Sequence, residues 1–181
     1  NLHFKNMYNI FKDDLNKTYP DLSEEISTNL KNFKHFCQPA INTPVHKKTT
    51  VLMPHLDKYD TLFTGLFYLR DKNDQSEGGD FEIYESTDKN YFYRKAEVSN
   101  LNSIRLYKTV KYESNTFIGL LNTKASIHSV TKRNKTQFPR KFVNFISKIP
   151  QKISPLYLTE RDNNYARILK NKIRDLFILG S

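Results

Sequence analysis

The densest chemical signal in this sequence is Pro54-His55-Leu56-Asp57. In extended backbone, residues i and i+2 point to the same side, so His55 and Asp57 can present an imidazole and a carboxylate to one metal ion. A third ligand must come from farther along the chain, which has five histidines: His3, His35, His46, His55 and His128. His128 lies in Ser126-Ile127-His128-Ser129-Val130, a short strand-like segment just after the apolar run Thr116–Leu121. Two imidazoles and one carboxylate on one face of a metal leave three adjacent positions open, which suits non-haem Fe(II) with a chelating co-substrate and dioxygen. Twelve residues beyond His128, Arg140 opens Arg140-Lys141-Phe142-Val143-Asn144-Phe145-Ile146, a run that otherwise reads as a core strand. A guanidinium entering a buried strand demands an anion. The far end of a dicarboxylate meets that demand through a bidentate pair.

The elements that must position these groups follow from periodicity. Residues 6–36 read as helical, with Tyr8, Phe11 and Leu15 on one stripe before a break at Pro20. A second helix is expected from Ser23, with Glu24 and Glu25 in its first turn and Ile26, Leu30 and Phe33 as its apolar face. Between Pro39 and Ile149 the character changes to short β-branched or aromatic runs. These are Thr49–Met53, Thr61–Leu69, Asp80–Tyr84, Ile104–Val110, Thr116–Leu121 and Phe142–Ile146. Many short strands without intervening helices predict an antiparallel sandwich or barrel. The tail from Asp162 to Leu179 again reads as a helix. The expectation is one domain over 1–181: N-terminal helices to residue 38, an all-β core over 39–149, and a C-terminal helix over 150–181. Gly78-Gly79 reads as a turn with positive φ. Tyr91-Phe92-Tyr93 reads as edge-strand packing, with an aromatic lid as the alternative. Cys37 reads as a small buried hydrophobe.

Composition narrows the function classes. The chain has 181 residues, 38% of them hydrophobic and 13% aromatic, enough rings to build a core and to exclude wholesale disorder. No apolar run reaches the roughly 18 residues of a membrane span. One cysteine excludes an internal disulfide framework and a multi-cysteine zinc site, and a cytoplasmic location is expected. A start at Asn1 instead of Met reads as a trimmed N-terminus. The net charge of +10, from 29 basic and 19 acidic residues, admits a nucleic-acid partner. Apart from Lys132-Arg133-Asn134-Lys135 the basic residues are dispersed, and lysine dominates, which favours a merely lysine-rich surface.

Taken in order, these motifs resemble the 2-oxoglutarate- and Fe(II)-dependent oxygenases, in particular their prolyl-4-hydroxylase-like branch. His55-Leu56-Asp57 resembles the H-x-D ligand pair, and Thr64-Gly65-Leu66-Phe67-Tyr68-Leu69 the strand that follows it. Glu77-Gly78-Gly79-Asp80-Phe81 resembles the turn into the next strand. The resemblance covers roughly residues 45–149 and implies a double-stranded β-helix, the jelly-roll barrel shared with cupins. It implies iron on His55, Asp57 and His128. It also implies 2-oxoglutarate anchored by Arg140 with help from Thr64, and dioxygen as second co-substrate. Relatives with an arginine nearer the histidine make Arg133 a rival anchor; its place in the polar stretch Thr131–Gln137 predicts exposure. The implied reaction hydroxylates a peptidyl or free amino acid. The alternatives are another cupin-type metal barrel, which lacks support because H-x-H is absent, and a basic nucleic-acid-binding module without catalysis. For the latter, affinity would fall steeply with salt.

Overall fold

The computed structural model describes residues 2–20, 23–24, 33–50, 52–58, 60–87, 98 and 100–149. The protein is built mainly of β-strands, in two antiparallel sheets, with one long helix at the start of the chain. Helix α1 spans Leu2–Thr18. The strands are β1 (Lys34–Asn42), β2 (Thr61–Tyr68), β3 (Phe81–Ser86), β4 (Ile104–Val110), β5 (Phe117–Leu121), β6 (His128–Val130) and β7 (Arg140–Lys148). One sheet has the order β1-β7-β2-β5 and the other β4-β3-β6.

Alternation along the strands decides which side chains meet between the sheets. On β2, Thr64, Leu66 and Tyr68 share a face; opposite them in register stand Ile146, Asn144 and Phe142 of β7. On β3, Phe81 and Ile83 stand opposite Val130 and His128. Tyr68, Phe81, Tyr112 and Ile118, drawn from both sheets and the loop after β4, form one buried cluster, so these faces pack together. The outer face of the four-stranded sheet carries Phe63 and Gly65. There Phe11 of α1 stacks on Phe63 at 5.7 Å. Of the predicted stripe, Leu15 is 0% exposed and Tyr8 and Phe11 pack partly buried against the same core; Met7, outside that stripe, is 2% exposed. Gly65 is small for a reason: a Cβ there would lie 2.9 Å from the Phe117 ring.

Three expectations are corrected. The helical reading of 6–36 and the helical N-terminal region to 38 fail at Lys34, where β1 begins and pairs with β7 along its whole length. Tertiary pairing overrides local pattern there, because β1 is largely exposed and carries no apolar alternation to read. Cys37 lies on that strand and is exposed, not buried. The strand expected over Thr49–Met53 is reduced, among its described residues, to a single bridge from Thr49 to Arg133. Of the second helix, Ser23 and Glu24 are described and helical; Phe33, expected on its apolar face, is buried but lies in a bend just before β1. Tyr91-Phe92-Tyr93 and the C-terminal helix lie outside the described residues. Gly78 and Gly79 do take positive φ, 85° and 84°. No helix among the described residues is long and apolar enough to cross a membrane.

Candidate metal centre

The fold brings His55, Asp57 and His128 together. One ligand atom from each lies within 4.8 Å of the others, the single such cluster of three or more His, Cys, Asp or Glu among the described residues. The contact is set by backbone. His55 and His128 exchange two hydrogen bonds, N–H to carbonyl at 2.9 and 3.0 Å, as an isolated antiparallel bridge. Directly paired residues point to one side, and the two rings sit 4.4 Å apart.

Both imidazoles are oriented by their own chain. His55 Nδ1 lies 2.8 Å from the Met53 carbonyl and His128 Nδ1 2.9 Å from that of Ser126. A carbonyl only accepts, so both Nδ1 atoms donate, and in the neutral ring Nε2 is the atom that carries the lone pair. His128 is buried and stacks on Phe81 at 5.2 Å. Burial pushes its imidazole below the ordinary value, with Asp57 pulling the other way, so the neutral, ligating form prevails at neutral pH. Thr64 Oγ1 donates to Asp57 Oδ2 at 2.6 Å, while Oδ1 lies 3.9 Å from His128 Nε2. The donor set, two neutral nitrogens and one carboxylate, fits a divalent first-row metal with open positions.

Asn122 ties together the two ligand-bearing segments. Its buried Nδ2 donates to the carbonyls of Lys58 and Thr61, at 3.0 and 2.8 Å, and its Oδ1 accepts from Ser126. An asparagine after an apolar strand thus ties the segment behind Asp57 to the turn before His128. Asn122→Ala is expected to cost about 2 kcal/mol by stripping donors from two carbonyls. That should lower Tm by about 4–8 °C in a thermal melt.

Arg140 is 3% exposed, as a core-strand arginine must be. Its Nε donates to the Gly79 carbonyl at 3.0 Å and Nη2 to the Tyr68 hydroxyl at 2.8 Å. The rings of Tyr68, Tyr112 and Phe142 lie 4.8–5.2 Å from its guanidinium carbon. Among the described residues no carboxylate pairs with it. Burial lowers its pKa from the ordinary value, though Tyr68 opposes the shift. Arg133 differs. It is 4% exposed, not the exposed loop residue expected, and it is neutralised by Asp74 at 2.8 Å with Ser76 Oγ at 2.6 Å. Buried Asp74 is what draws it inward.

Arg140 and Arg133 both line a cavity of about 360 Å³, with Asn42, Thr131 and Val130; none of the triad residues lines it. Val130 shares a face of β6 with His128, two residues and so about 7 Å further along. The inner face of β7 also holds Asn144, whose Oδ1 is buried without a partner. A buried guanidinium that is hydrogen-bonded but faces no carboxylate among the described residues, and an amide oxygen without a hydrogen bond on the same strand face, fit a polar ligand. An adjoining cavity of about 450 Å³, which shares Thr50, Val130 and Thr131 with the first and is also lined by Glu82, Tyr84 and Ser129, includes neither the triad nor Arg140. Sequence reasoning missed Tyr68, whose position four residues after Thr64 on a strand was the available signal. It also missed Tyr112, whose loop gave none. No protein-family model matches this chain, and no curated protein matches it.

Proposed function

We propose that this protein is an Fe(II)- and 2-oxoglutarate-dependent dioxygenase that hydroxylates a C–H bond, with a peptidyl or free amino acid as substrate. One observation carries the reading: the His55–Asp57 pair and His128, distant from that pair in sequence, converge within 4.8 Å, with both Nδ1 atoms turned to backbone carbonyls. The jelly-roll reading rests on the sheet orders. The isolated bridges of Thr49 to Arg133 and His55 to His128 lie alongside β6, where a jelly roll carries the fourth strand of its second sheet. Early and late strands then alternate across both, as in paired Greek keys. A reducing cytoplasm suits Fe(II) and one exposed thiol.

In this reading His55, Asp57 and His128 hold the iron, and Arg140 receives the distal carboxylate of 2-oxoglutarate. When bound, iron and co-substrate supply the oxidising power: dioxygen converts 2-oxoglutarate to succinate and CO2 while the substrate gains one hydroxyl. The chain's part is positioning. Tyr68 is fully buried, and burial raises its phenol pKa, so at neutral pH the hydroxyl keeps its proton. Because Arg140 donates to that oxygen, the phenol hydrogen can be given to the same carboxylate. The aromatic rings around Arg140 exclude water and strengthen the charge pair.

The test is anaerobic addition of Fe(II) and 2-oxoglutarate. A visible charge-transfer band that needs both components is expected. In air, succinate release should follow with members of a peptide and amino-acid panel. Failure of the wild-type protein to bind metal would overturn the reading.

A further inference from the structure

We propose that Thr64 is a positioning residue of the metal centre, its hydroxyl holding Asp57 so that one carboxylate oxygen, not both, faces the ligand cluster. This rests on the triad being a metal site. Thr64 Oγ1 donates to Asp57 Oδ2 at 2.6 Å, in the short range of charge-assisted O–H···O⁻ bonds. The other oxygen, Oδ1, is the one near His128 Nε2.

The two partners differ in rigidity. Thr64 sits in the middle of β2, flanked in register by Leu120 of β5 and Ile146 of β7. As a β-branched strand residue it has little χ1 freedom. Asp57 lies in a segment without regular structure, its side chain 25% exposed. The fixed hydroxyl therefore orients the carboxylate, not the reverse. Two imidazoles and a single carboxylate oxygen leave three metal positions open; a second oxygen from Asp57 would take one of them. The same bond separates Thr64 from co-substrate recognition. A hydroxyl has one hydrogen, and this one is given to Asp57. A 2-oxoglutarate carboxylate only accepts, so Thr64 has no hydrogen left to offer it.

Thr64→Val keeps the branched shape and removes the donor; Thr64→Ser keeps the donor. Each variant and the wild type are titrated anaerobically with Co(II) by calorimetry and visible absorption, then with 2-oxoglutarate at saturating metal. Thr64→Val is expected to lose about 10–100-fold in metal affinity, the usual effect of removing an outer partner of a ligand. Its Co(II) spectrum should shift, while 2-oxoglutarate affinity changes little. Thr64→Ser should restore affinity and spectrum. Wild-type metal affinity in Thr64→Val, or weakened 2-oxoglutarate binding with metal affinity spared, overturns the inference alone. A wild-type protein that binds no Co(II) overturns the triad reading and the inference with it.

Discussion

Asp57→Ala is expected to abolish metal binding while leaving the protein folded. Asp57 is the cluster's only carboxylate, and the two remaining donors are neutral imidazoles. Loss of a mere outer-shell partner costs about 10–100-fold in affinity, so loss of the one anionic ligand should exceed about 100-fold. The fold should survive because Asp57 is partly exposed and ends no strand. Its neighbour Leu56, 1% exposed, keeps the segment packed. Calorimetric titration with Fe(II) under nitrogen, beside a thermal melt, checks both halves. Retained tight binding at an unchanged Tm would remove Asp57 from the site.

The two buried arginines should fail in opposite ways. Arg140→Ala is expected to weaken 2-oxoglutarate binding by about a hundred- to several-thousand-fold, since breaking a buried charge pair costs roughly 3–5 kcal/mol. Metal affinity should hold, because Arg140 touches none of the triad side chains by a hydrogen bond. Arg133→Ala should act on stability instead. It leaves Asp74, whose side chain is 0% exposed, with Arg70 at 3.7 Å as its remaining cation. A buried carboxylate stripped of its closest partner costs several kcal/mol, so Tm should fall by on the order of 10 °C. Paired measurements of 2-oxoglutarate affinity and Tm separate the two. A folded Arg133→Ala that has lost 2-oxoglutarate, beside an Arg140→Ala that has kept it, would exchange their roles.

By itself the sequence determined the donor types, the strand-rich core and the depth of Arg140. Each of these is a local property. An H-x-D pair in extended backbone, a period-two run and an arginine amid Phe142, Phe145 and Ile146 need no knowledge of distant contacts. Gly78 belongs with them, since its backbone at φ 85° accepts no side chain: a Cβ there would lie 2.0 Å from the Lys132 carbonyl.

Only the tertiary structure decided which distant groups meet and which cations are already neutralised. Nothing local says that His128 bridges His55, because that pairing joins segments 73 residues apart through two backbone hydrogen bonds. Nor is Asp74 visible as the partner of Arg133, which a polar context predicts to be exposed and which a buried ion pair holds inside. β1 escaped the same way: an exposed edge strand owes its conformation to the ladder it makes with β7 rather than to its own residues. Strand pairing and charge pairing are both settled by partners far off in the chain, so residue type restricts them and the packed fold selects among them.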